Sequence, residues 1–161
     1  MTMNKDCSIK VNRKYLNIYH VLAEGGDSFR FFPQNDGYVS GFVLSAFLGF
    51  REYQSSGTLA DDFEGVTLAA FSQLSEYQQT ILKVFAMKTK GYQILQNLQE
   101  LISVTEKLAD RGMEVLIGKV LKEYVQESKS GEYILECNAE NQVEESLAMF
   151  IRDQLINNSL L

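Results

Sequence analysis

The chain has 161 residues, a net charge of -6 and a pI near 4.8, and 45% of its residues are hydrophobic. That length suits one domain with a real core, and the acidic balance disfavours a main role in gripping phosphate backbones, which draw on Lys and Arg. One His, one Pro, two Cys and no Trp leave little catalytic or metal-binding equipment. Cys7 and Cys137 match no metal or redox spacing and read as reduced thiols, Cys137 as a small hydrophobe.

Residues 1–7 are polar and read as loose, with no signal-peptide pattern. Ser8 to Val11 reads as a short strand with Ile9 and Val11 on one face. Asn12 suits a helix cap, and Tyr15, Leu16, Tyr19 and Leu22 then form one apolar stripe that Gly25-Gly26-Asp27 stops. Phe29-Arg30-Phe31-Phe32-Pro33 reads as a strand or buried loop, and Asp36 as the N-cap of a helix through Tyr38–Phe50. That apolar block is too short and interrupted to span a bilayer, so the sequence predicts a buried helix.

Ser55 to Thr58 reads as a loop, followed by the acidic cluster Asp61, Asp62 and Glu64. The stretch Phe63 to Leu74 fits a short helix somewhat better than a strand. Ser75 with Gln78 is a capping box, and its helix carries Tyr77, Ile81, Leu82, Val84 and Phe85 before Gly91. Ile94, Leu95, Leu98, Leu101, Ile102, Thr105 and Leu108 keep a three-four rhythm that predicts one helix from about Tyr92 to Asp110, closed by Gly112. A further helix is expected over Met113 to Tyr124. A turn follows at Ser128 to Gly131, then a short strand within Glu132 to Cys137. Asn141 with Glu144 begins a last helix carrying Val143, Leu147, Phe150, Ile151 and Leu155. The sum is a mainly α, single compact helical domain over 1–161, with about five to seven helices and up to two short strands.

The candidate chemistry is sparse. His20 lacks a second histidine for a metal site, although a Cys7–His20 nucleophile pair is conceivable in space. Asp61, Asp62 and Glu64 are hard ligands that suit Mg²⁺, but a solvated loop is the stronger reading. No phosphate-cradling glycine motif occurs, which speaks against nucleotide hydrolysis by this chain. Lys83, Lys88 and Lys90 sit where cations complement a helix dipole, and they are also the residues a DNA-facing patch would use, with Lys10, Arg13 and Lys14 as further cations. Glu144, Glu145 and Asp153 flank the last apolar helix and suit either a solvated face or an edge that docks a basic partner. Reduced thiols and the lack of an apolar run of membrane-spanning length imply a cytoplasmic protein with no membrane partner.

Three stretches carry a family resemblance. Phe29–Phe32 leads into Gly41-Phe42-Val43-Leu44-Ser45-Ala46-Phe47-Leu48-Gly49-Phe50, and Thr105-Glu106-Lys107-Leu108-Ala109-Asp110-Arg111-Gly112-Met113-Glu114-Val115-Leu116 comes much later. In order and rough spacing they resemble the small accessory proteins encoded beside bacterial DNA phosphorothioation (Dnd) systems. That family places a basic, glycine-containing tail after the Leu-Gly-Phe segment, whereas Arg51-Glu52-Tyr53-Gln54 here carries a single cation. The resemblance implies a non-catalytic, cofactor-free component of a prokaryotic defence system, docked on a larger ATPase or nuclease. A middle component of an ABC-type or SMC-like ATPase defence complex is the alternative. A DNA-binding regulator or DNA-sensing subunit is another, with Lys83, Lys88 and Lys90 as its contacts. The partner-binding residues expected are Tyr15 and Tyr19 on the first helix, and Glu144, Glu145 and Phe150 on the last.

Overall fold

The computed structural model describes residues 7–24, 37–136 and 140–158. Five expectations fall outside them: the loose 1–6, the stop at Gly25-Gly26-Asp27, the aromatic run Phe29–Pro33, the Asp36 cap and the setting of Cys137. Among the described residues the fold is mainly α, with five α-helices and two separate antiparallel strand pairs.

The chain opens with β1 (Ser8–Asn12), whose Ile9 and Val11 point inward. Asn12 caps the next turn: its Oδ1 accepts from the Lys14 N–H at 3.2 Å. A 3₁₀ turn, Arg13–Tyr15, runs into α1 (Leu16–Glu24). The apolar block then forms α2 (Gly37–Ser56).

Phe63 to Leu74 is not a helix. Gly65–Ala70 is strand β2, paired antiparallel with β1 from Asn12↔Gly65 to Ser8↔Ala70, with a bulge between Ile9 and Lys10. The physical reason is the partner: β1 offers an unpaired edge, and β-branched Val66 and Thr67 suit a half-buried pleat. The Arg13 N–H to Glu64 carbonyl bond (3.0 Å) and the Phe71 N–H to Cys7 carbonyl bond (2.8 Å) extend the ladder at both ends.

Helix α3 (Glu76–Lys90) begins at the expected capping box, in which Ser75 Oγ accepts from the Gln78 N–H and Gln78 Oε1 accepts from the Ser75 N–H. It ends at Gly91. The predicted Tyr92–Asp110 helix is divided. Tyr92–Gln96 is 3₁₀, and Asn97 caps α4 (Leu98–Leu116) by accepting from the Glu100 N–H at 3.2 Å.

Gly112 does not close that helix but lies within it. The expected separate helix after it is the continuation of α4, which passes into one π-helical turn at Ile117–Leu121. Strands β3 (Val125–Glu127) and β4 (Tyr133–Leu135) form the second hairpin around the Ser128–Gly131 turn. The Asn17 side chain accepts from the Leu135 N–H at 3.0 Å and ties that hairpin to α1. Helix α5 (Glu140–Asn158) ends the described chain, with Val143 and Leu147 fully buried.

The centre of the fold is the crossing of α2 and α4, its largest interface. There the two backbones touch. A Cβ on Gly49 would lie 1.7 Å from the Leu108 carbonyl oxygen, and one on Gly112 would lie 1.6 Å from the Ser45 carbonyl oxygen. No side chain fits at either position, so both glycines are required by the approach itself. Phe42, Ala46, Leu108 and Met113 fill the space around the crossing and have no more than 1% exposure.

Candidate functional site

Two regions stand apart from the packed core. The first is a groove of about 410 Å³ between α2 and α3, lined by Ser40, Val43, Leu44, Phe47, Tyr77, Gln78, Ile81 and Phe85. Its walls follow from helical periodicity. Ser40, Val43, Leu44 and Phe47 form one stripe of α2; Tyr77, Gln78, Ile81 and Phe85 form one of α3, about 100° round from the buried Leu82 and Ala86. Helix α3 therefore has two apolar faces, and only one is covered.

The helices run in the same direction. Ser40 meets the Tyr77–Gln78 end, while Phe85 meets Phe47 and Phe50 at ring-centroid distances of 6.2 and 5.1 Å. The Tyr53 hydroxyl reaches the Thr89 carbonyl at 3.5 Å beyond them. These rings wedge the helices apart at one level and leave the apolar slot open above it. Tyr77 is 76% exposed and Val84 37%. At the slot's aromatic end, Arg51 lies one turn past Phe47 with its Cζ 5.8 Å from that ring centre, and exposed Lys88 lies one turn past Phe85.

The second region is a polar seam where β1 crosses α4. Glu106, Asp110 and Glu114 recur every fourth residue of α4. Asn12 Nδ2 donates to Asp110 Oδ1 at 2.9 Å, and the Lys10 N–H donates to Glu106 Oε1 at 3.3 Å. Burial raises the Asp110 carboxyl above its ordinary range, against the lowering effects of Asn12 and Lys14. Burial likewise pushes Glu106 up to about 6, opposed by Lys10. Cys7, Lys10, Gln99, Ser103 and Glu106 share a pocket of about 370 Å³ at one end of this seam.

Tyr15 and Tyr19 are each 2% exposed, so their side chains pack inside the domain and offer no partner surface. Tyr15 stacks on Tyr133 at 5.5 Å under the Lys14 ammonium, and Tyr19 lies against Ser45. Ser45 Oγ nevertheless has no well-formed hydrogen bond. Burial drives both phenol groups far above their usual range, with the Asp110 charge adding to it. Helices hide a tyrosine readily when its ring fills core volume, and the hydroxyl gives no warning in the sequence.

On α5, Glu145 is exposed while Glu144 and Phe150 are half-buried, Phe150 against the core. Lys83, Lys88 and Lys90 are all exposed but do not share one face: Lys83 and Lys90 fall on one stripe, and Lys88 on the groove stripe.

Cys7 and His20 line different pockets. His20 sits with Arg13, Asn17 and Glu132, its Nδ1 3.0 Å from the Tyr38 hydroxyl. The acidic loop is dispersed into ion pairs, Asp62 with Lys107 at 3.1 Å and Glu64 with Arg13 at 3.2 Å. No cluster of three or more metal-ligand side chains occurs among the described residues, and none of their helices is long and apolar enough to cross a membrane.

Sequence reasoning missed the groove and the titration of Glu106. The width of the apolar band on α3, too broad for one neighbour, was the available signal for the groove. No known protein family, characterised protein or solved structure matches the chain.

Proposed function

We propose that the protein is a non-catalytic accessory subunit of a multi-protein prokaryotic defence system, and that it docks on a larger ATPase or nuclease through the α2–α3 groove. The observation that carries the docking reading is the open apolar slot itself, with Tyr77 in its wall largely exposed. Large apolar side chains held in a pocket on a rigid helical scaffold are what interface anchors need. The defence setting comes from the resemblance to phosphorothioation-associated accessory proteins, and a partner of ABC-type or SMC-like ATPase class meets the same surface. The test is purification of the tagged chain from its host in mild detergent, followed by reconstitution with the co-purifying neighbour at micromolar concentration. A stoichiometric complex weakened by Tyr77→Asp is expected. A chain that purifies alone and binds no neighbour-encoded protein removes this reading.

A second reading, a DNA-binding regulator, is favoured by exposed Lys83 and Lys90, which share a stripe of α3 and enter no ion pair among the described residues. It expects duplex affinity that falls steeply with salt, and a salt slope reduced by about 2 when both lysines are neutralised.

A further inference from the structure

The polar pocket where β1 meets α4 is bordered by two opposite charges that do not satisfy each other. Lys10 comes from β1, and Gln99, Ser103 and Glu106 follow one stripe of α4. The Glu106 carboxylate takes the Lys10 backbone N–H at 3.3 Å. Neither that carboxylate nor the Lys10 ammonium enters an ion pair among the described residues. A Cβ on Gly65 would lie 3.0 Å from the Lys10 Cβ and 3.3 Å from its Cδ, so the lysine stem leans on β2 rather than across to α4. Burial holds the Glu106 carboxyl up at about 6, although the Lys10 N–H and the Lys10 charge both act to lower it. The carboxyl is thus near enough to feel the cation and still short of positive charge. A cation and an anion that border one pocket without pairing are best bridged by a molecule carrying both charges itself. The Gln99 amide and the Ser103 hydroxyl make no hydrogen bond among the described residues and are available to orient it. Ile102, 4% exposed, adds an apolar patch. The volume of about 370 Å³ lies at the lower end of the range of small-ligand sites.

We propose that this pocket binds a free α-amino acid, whose carboxylate meets the Lys10 ammonium and whose ammonium meets the Glu106 carboxylate. Ser103 and Gln99 hydrogen-bond to the same two groups, and the ligand side chain lies toward Ile102. The pocket shares no lining residue with the α2–α3 groove, so binding here is independent of docking there.

The test uses the full chain at pH 7.5, above the Glu106 value of about 6, with the common free amino acids as single probes. Saturation-transfer NMR and titration calorimetry are expected to find at least one that binds at or below about 1 mM. Its carboxamide lacks the negative charge and its deaminated acid lacks the positive one. Each should bind at least about tenfold more weakly. Lys10→Met should erase the preference for the amino acid over its carboxamide, and Glu106→Gln the preference over the deaminated acid. A merely structural role for either residue would weaken all three probes alike, and that outcome overturns the assignment. Amide shifts are expected on β1 and the N-terminal half of α4. Binding of no amino acid up to about 10 mM overturns the proposal, as does equal binding of the amino acid and both analogues, or shifts confined to the α2–α3 groove. If Glu106→Gln misfolds, the two analogues on the unaltered chain and Lys10→Met decide the matter alone.

Discussion

Helix α2 packs on two of its helical neighbours, α4 and α3, by opposite means. Against α4 it uses Gly49, and the backbones meet where any Cβ would overlap a carbonyl oxygen. Against α3 it uses Phe47 and Phe50, whose rings on Phe85 hold the helices apart and leave a slot beside them. One face is closed by the absence of side chains and the other is kept open by their bulk. A contact built from backbone has no slack, whereas one built from rings at one level leaves apolar surface elsewhere. Stability is therefore expected to reside in the first contact and binding in the second.

The strongest way to break that contrast is Gly112→Val. It is expected to cost more than about 4 kcal/mol, since overpacking at a point with no room to relax exceeds the usual range. Failure to fold, or a collapsed urea midpoint, is the readout; a near-normal midpoint would mean that the helices can separate and that the crossing is not the rigid centre. The β1–α4 seam comes next. Asn12→Ala removes both the cap on the Lys14 N–H and the donor to buried Asp110, and about 2 to 3 kcal/mol of stability should go with them.

A smaller effect belongs to pH. The Glu106 carboxyl, at about 6 in the folded chain, stands above its ordinary 4.5. A raised carboxyl contributes stability that is fully present below about 4.5 and is lost as pH rises through 6. The raised Asp110 acts with the same sign. Stability should therefore fall by about 1 kcal/mol between pH 4.5 and 7, after allowance for solvent screening of a half-buried group. Glu106→Gln should flatten that dependence and be the more stable form at pH 7.5. A wild-type curve that rises across the window would show that the Lys10 contacts hold the carboxyl charged instead. The least effect is expected at the slot: Tyr77→Ala should change unfolding by less than about 0.5 kcal/mol, because the ring is 76% exposed, while weakening partner binding.

Local signals were legible where they act alone. The Ser75–Gln78 box, the stop at Gly91 and the rhythm through Leu101, Ile102 and Leu108 each correspond to a local hydrogen-bonding or packing pattern, and the structure contains each one. Gly112 was misread because a glycine that ends a helix and a glycine that lets another helix approach look alike in one sequence. The difference lies in Gly49, about sixty residues away. Gly65–Ala70 is a strand only because β1 is there to pair with it. Tyr15 and Tyr19 sit on the predicted stripe, but which polar-tipped residues face a neighbour is decided by elements that arrive later, above all β4 and α2. The slot was illegible for a related reason: Ile81 and Leu82 are interchangeable in hydrophobicity, and only the packing of α2 decides which is fully covered.

The Gly49–Gly112 contact also sets an order of events during synthesis. Once Gly49 has been made, its carbonyl-lined seat on α4 does not exist for another sixty or so residues. At ordinary elongation rates that is roughly 3 to 12 s. Throughout that interval this largely apolar helix is on the ribosome or just outside it without its principal neighbour. A polypeptide truncated before Leu98 would lack α4 altogether, retain that exposed helix permanently, and be expected to self-associate through it rather than persist as a smaller folded unit.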